Sequence, residues 1–137
     1  MMLRIIGISV AALLIVFLVA LLVWWRRRPG KLDTLYFSEQ WAELQKLCSS
    51  KATWPEAVLS ADRLLGQALA KKHIRGRTMG TQLMKAQRTF SDNDSVWFAH
   101  KLRGKIEADP ALKLKQADVK QALMGVRQAL KDIGALA

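Results

Sequence analysis

Residues 99–110 read AHKLRGKIEADP, and they hold the side chains of this chain best suited to chemistry. A histidine titrates near neutrality, so it can take or give a proton. An arginine offers a planar fork of donors that fits the oxygens of a phosphate. His100 and Arg103 stand three residues apart, and on a helix that spacing puts both on one face, within reach of a single phosphate. Lys101 and Lys105 add positive charge beside them. The plainer alternative is a hydrogen-bonded structural pair that faces neighbouring helices rather than a substrate.

The rest of the chain offers less. His73 and His100 lie in different segments and Cys48 is the only cysteine, so no group has metal-ligand spacing. Neither a metal nor another cofactor is expected. Cys48 itself reads as a small apolar residue on a helix face. IRGRTMGT, residues 74–81, leads two glycines into a helix start, where a phosphate can sit on free backbone N–H groups. It ends in no Gly-Lys-Ser/Thr and follows no strand, so it reads as a basic turn and not a P-loop. Lys71, Lys72, Arg75 and Arg77 around it form a dense basic patch, a candidate contact for nucleic acid or lipid. A solvated helix end is the plain alternative. Trp41, Trp54 and Trp97 have faces on which bases can stack, but they fit better as core or half-buried helix surface.

Helices must position these groups. Phe37, Trp41, Leu44 and Cys48 recur at helical spacing and predict a helix over about 33–48. Thr53 with Glu56 fits a capping box, and Pro55 suits a first turn. The helix they open is expected to run to about Lys72, with Ala57, Ala61, Leu64, Leu65, Ala68 and Leu69 as its apolar stripe. Thr78 can cap a third helix with Met79, Leu83, Ala86 and Phe90 on one face. SDNDS, residues 91–95, signals a turn and an N-cap for a helix carrying Val96, Trp97, Ala99, Leu102 and Ile106. Asp109-Pro110 stops that helix near Ala108, because the residue before proline is pushed out of the α region. The last helix, roughly 115–133, has Val119, Ala122, Leu123, Val126, Ala129, Leu130 and Ile133 as its stripe, with Gly134 at the C-cap. No stretch alternates apolar and polar residues as a strand does. The fold expected over 35–137 is all-α, an antiparallel bundle of about five helices.

Ahead of the bundle, no charged side chain occurs between Ile5 and Trp25, and only Ser9 is clearly polar. As a helix this stretch is roughly 30 Å long, the thickness of a hydrocarbon core. It ends in Trp24, Trp25, Arg26, Arg27 and Arg28, an aromatic belt followed by a stop-transfer cluster. A cleaved signal peptide has a shorter apolar region that leads into small residues. Residues 1–28 are therefore expected to be a single-pass transmembrane anchor, and 29–34, with Pro29 and Gly30, a hinge. Arg26, Arg27, Arg28 and Lys31 outweigh Arg4 on the other flank, which puts the following domain in the cytoplasm of a cell. A lone cysteine, unable to form an internal disulfide, agrees with that compartment.

Charge narrows the partners. The chain has 22 Lys and Arg against 11 Asp and Glu, a formal net of +11, and all of these but Arg4 lie beyond the apolar stretch. A basic domain held near a bilayer suits anionic lipid or the phosphates of RNA or DNA, and the plain alternative is a well-solvated basic surface.

DNDSVWFAHKLRGKIEAD, residues 92–109, preceded by GRTMGTQLMKAQRTFSD, resembles a family of small bacterial proteins. Its members pair an N-terminal membrane helix with a cytoplasmic helical domain of the HEPN type. WPEAVLSADRLLGQAL, RTMG, VWFAHKLR and the terminal ALKDIGAL extend the likeness over most of residues 54–136. The resemblance implies a helical bundle that tends to form homodimers, and in active members a metal-independent ribonuclease. The family's signature is an arginine, often followed by asparagine, and then a histidine four to six residues on. Cleavage of RNA needs a base, an acid and a cation for the charged phosphorane. Arg103 stands at the arginine position, Gly104 where asparagine is common, and Ala108 at the histidine position, where it can move no proton. His100 accompanies the signature in such chains and does not replace its histidine. The resulting expectation is a membrane-anchored interaction module, catalytically inactive, whose partner is a protein or RNA. A ribonuclease using His100 and Arg103 is the alternative.

Overall fold

A computed structural model describes residues 2–27 and 31–137 and is helical throughout, with no strand among the described residues. The first element, α1 (Met2–Arg27), is 26 residues long, or about 39 Å at the usual helical rise. Every side chain described in it is exposed, and no other helix packs against it. Among the described residues one helical stretch, Met2–Arg26, is thus long and apolar enough to cross a membrane. Its backbone bonds are all internal, so hydrocarbon can surround it without cost to the peptide groups.

The bundle follows as α2 (Thr34–Lys46), α3 (Trp54–Lys71), α4 (Met79–Ala86), α5 (Asn93–Ala108) and α6 (Gln116–Asp132). Five helices and their apolar stripes are arranged as their spacing predicts. α3, α5 and α6 pack on one another in the centre, α2 lies against α3, and short α4 touches α3 and α5. The stripe residues of α3 and α6 are buried, as are Val96, Ala99, Leu102 and Ile106 of α5. Leu32 is also in the core, so the bundle begins within the stretch read as a hinge.

Caps explain most of the boundaries. The side chains of Asp33, Thr78 and Asp92 each accept a bond from a backbone N–H in the first turn of α2, α4 and α5. Gly134, at φ +82°, closes α6 through bonds from its own N–H to Lys131 and from the Ala135 N–H to Leu130. His73 does the same for α3 at φ +62°, with bonds from its N–H to Ala70 and from Ile74 to Leu69. A non-glycine residue rarely takes that conformation.

Three boundaries differ from the sequence reading. The first helix of the bundle ends at Lys46, and Cys48 lies in a 3-10 turn at Leu47–Ser49. The capping box at Thr53 does not form. Its hydroxyl donates instead to the carbonyls of Leu47 and Ser50, which tightens the connection ahead of α3. Trp54 holds the same turn through a 2.9 Å bond from Nε1 to the Cys48 carbonyl. Phe90 is buried as expected, but four residues beyond the end of α4.

Two contacts fasten α6. Gly125 sits directly on α5, where an added Cβ would lie 2.6 Å from the Ser95 Cβ and 2.8 Å from its carbonyl oxygen. At the far end, Asp132 accepts bonds from the Ser91 N–H and hydroxyl, both 2.8 Å, and from the Gln128 amide. Burial by itself raises the Asp132 pKa, and these three bonds outweigh it and hold the carboxyl below its ordinary value.

Gly125→Ala is expected to destabilise the bundle by about 2 kcal/mol in urea denaturation, the usual cost of overpacking. Gly104→Ala, in open space on α5, should instead stabilise it by about 0.5–1 kcal/mol. For Asp132 the sign follows from its depressed pKa. Its contribution is present above the ordinary carboxylate range and is lost as pH falls through that range and the folded value. Asp132→Asn should therefore lower the denaturation midpoint at neutral pH and converge with the parent protein in acid.

Candidate functional site

Asp62 is the one buried charged residue among those described, at 2 % exposure. It belongs to an apolar line on α3, with Val58 one turn before it and Leu65 and Leu69 after it, all buried. A carboxylate in such surroundings needs a cation and hydrogen bonds. Arg103 of α5 supplies them, donating from a terminal guanidinium nitrogen to Asp62 Oδ2 at 2.7 Å. The Arg103 Nε donates along its own helix to Glu107 Oε1 at 3.0 Å. Burial by itself lowers the Arg103 pKa. The bonds and charge of Asp62, and then those of Glu107, outweigh it and raise it above the ordinary arginine value.

His100 meets the same carboxylate from one turn earlier on α5. Its Nδ1 lies 3.5 Å from Asp62 Oδ1, close enough for attraction, yet out of line for a formed hydrogen bond. The ring stands edge-on to Trp97, with centroids 5.9 Å apart. Its Nε2 faces the backbone of Gly80 on α4. A shallow cleft of about 390 Å³ opens there, between Thr78, Met79, His100, Arg103, Gly104 and Glu107. The sequence-predicted pair is thus brought together, beside a cleft, but with the arginine fork already occupied on two sides.

Ala108 is exposed at the last position of α5, and no proton-transfer group replaces it there. Lys101 and Lys105 are exposed on the same helix. The second basic patch lies elsewhere. Arg75 and Arg77 are exposed, Lys72 is half-buried, and the Lys71 ammonium sits 4.9 Å from the Tyr36 ring centre and 5.6 Å from that of Phe37. Trp24, Trp25 and Arg26 are exposed in the closing turns of α1, which ends at Arg27, while Arg28 lies outside the described residues. Trp41 and Trp54 are buried, each bordering a cleft with only a small part of its ring, and Trp97 is half-buried.

Sequence reasoning missed two features. Asp62 carried a signal, a single acid set at 4-3-4 spacing among apolar residues, that names a buried charge in need of a partner. The other is an apolar cleft of about 470 Å³ between α2 and α6, lined by Trp41, Leu44, Leu123 and Met124 and rimmed by Lys120 and Arg127. Cys48 borders this cleft, where burial raises its thiol pKa and keeps it protonated, as a packing residue requires.

In comparisons with known proteins, no family model, no curated protein and no solved structure matches this chain.

Removing one partner of a buried ion pair leaves an unanswered charge. Arg103→Ala is expected to cost about 2 kcal/mol in urea denaturation, below the full penalty for a sealed pair because its side chain is 34 % exposed. Glu107→Gln, at an exposed position, should cost no more than about 0.5 kcal/mol. Asp62→Leu combined with Arg103→Met should recover most of the Arg103→Ala loss. A double variant no more stable than Arg103→Ala would show that the pair itself is not what Asp62 needs.

Proposed function

We propose that this chain is a membrane-anchored, cytoplasm-facing interaction module, a HEPN-like helical domain without catalysis whose partner is a protein or RNA. The observation that carries this reading is the state of Arg103. A guanidinium that stabilises a phosphorane must present donors to it, and this one already gives Nε to Glu107 and one terminal nitrogen to Asp62. The signature position for a proton-transfer group is Ala108. A fold whose site residues are missing gives poor grounds for its usual activity.

Anchoring is supported by the exposed apolar helix α1 and by the flank of Arg26, Arg27, Arg28 and Lys31, which favours the cytoplasmic side for the bundle. Of the two partner classes, a protein is favoured over RNA. Single-stranded nucleic acid is held largely by stacking on exposed aromatic faces, and Trp41 and Trp54 are buried. The apolar cleft between α2 and α6 suits side chains of a protein better.

One observation favours the ribonuclease reading. Asp62 lies 3.5 Å from His100 Nδ1 while the ring borders a cleft, close to the arrangement in which a carboxylate orients a histidine base.

The two readings separate in one assay. Residues 31–137, whose core takes nothing from α1, are incubated with single-stranded RNA beside their His100→Ala and Arg103→Ala variants. The module reading expects no cleavage by any of the three. Cleavage by the parent that falls at least about 100-fold in both variants, the scale of one acid–base group, would establish the enzyme instead. A reporter fused after Ala137 is expected on the cytoplasmic side, and its appearance on the other side would refute the anchored topology.

A further inference from the structure

We propose that the end of the bundle where α3 closes is a membrane-apposed face that binds the headgroups of anionic phospholipids. The proposal rests on the anchored reading above and adds the surface that meets the bilayer.

Chain geometry supplies the first argument. Leu32 is buried in the core only five residues after Arg27, where α1 ends. Even fully extended, the stretch between them reaches at most about 18 Å. That point of the bundle therefore stays within about 18 Å of the end of α1.

The second argument is what gathers at that point. Phe37, one turn beyond Asp33, is buried beneath the ammonium of Lys71, and the Tyr36 hydroxyl bonds to Gln67 of α3. The C-terminus of α3 is thus fixed beside the place where the chain arrives from α1. The left-handed turn at His73 then turns the chain, and Arg75 and Arg77 follow it within four residues, both exposed. Lys85 donates its ammonium to the Arg75 carbonyl, and Lys131 adjoins Lys72 from the end of α6. Cations from α3, its following loop, α4 and α6 converge on one end.

They are also unpaired. Among the described residues, the ion pairs join Lys46 to Glu43, and His100, Arg103, Asp62 and Glu107 to one another, so none involves these cations. Asp132, which borders the same cleft as Lys72 and Lys131, is held by Ser91 and Gln128 and forms no ion pair with them.

Anionic lipid is favoured over nucleic acid because the tether supplies it. Each basic residue brought to an anionic bilayer surface strengthens binding roughly fivefold. The short linker holds this face at a high effective concentration of headgroups, which adds to a contact that the free bundle already makes.

The test uses residues 31–137, since no helix of the bundle packs against α1. Binding is measured by co-sedimentation with phosphatidylcholine vesicles, with and without phosphatidylglycerol, at low and raised salt. The bundle is expected to bind only the phosphatidylglycerol vesicles and to release as salt rises. Lys72→Gln with Arg75→Gln and Arg77→Gln should weaken binding on the order of 100-fold, three charges at about fivefold each. Lys51→Gln with Lys113→Gln and Lys115→Gln removes equal charge near the start of α3, about 26 Å along that helix, and should change binding only a few-fold. Circular dichroism confirms that both variants fold. Equal losses in the two variants would overturn the proposal, leaving only bulk charge. Absence of phosphatidylglycerol-dependent binding would overturn it as well, and patch-dependent binding to single-stranded RNA alone would reassign the face to nucleic acid. A reporter result against the anchored topology would leave the vesicle result standing, so the two failures are distinguishable.

Discussion

The carboxylate of Asp62 constrains this bundle more than any other polar group described in it. Set in an otherwise apolar line of α3, it has to be answered from α5, and Arg103 answers it across 41 residues of sequence. Hydrophobic stripes say which faces are covered but name no particular pair of points across two helices. A short charge-assisted bond between fixed points does, because a shift that breaks it strands a buried charge. The pair thus sets the register of α3 against α5, and with it the positions of His100, Trp97 and the cleft beside Gly80.

This arrangement also decides how the most suggestive residues are read. A histidine and an arginine one turn apart look like half of a phosphodiesterase. In the folded chain the arginine is committed to a carboxylate on each side, and the histidine's inner nitrogen faces one of them. What remains open is the outer edge of His100 and the rim of a shallow cleft. The remaining donors of Arg103 and the ring of His100 border that cleft together.

Much of the fold was legible in the sequence because apolar periodicity reports which face of a helix is covered. The stripes of α3 and α6 are buried as their spacing implies, as are Val96, Ala99, Leu102 and Ile106 but not Trp97, and the caps at Thr78, Asp92 and Gly134 act as their residue types suggest. Periodicity says nothing about which helix lies opposite, so Asp62 and its partner 41 residues away stayed unconnected. It also values residues by hydrophobicity, which hides Gly125, whose importance is the absence of a side chain. Thr53 misled for a local reason: two 3-10 turns ahead of α3 offered its hydroxyl nearer carbonyls than the capping geometry did. His73 gave no signal at all, because residue type alone rarely marks a left-handed helix end other than at glycine or asparagine.

Gly125 has a mechanical consequence. Packed helices usually meet through layers of side chains, whose rotamers can adjust and let one helix ride over the other. At Gly125 the backbone of α6 rests on Ser95 of α5 with no such layer between them. There the two helices behave as a single solid block with nothing compressible at the joint. One side of that block carries the Arg103 and His100 network, and another forms a wall of the apolar cleft. Both surfaces are thus built on helices whose separation is set at that one point by backbone contact.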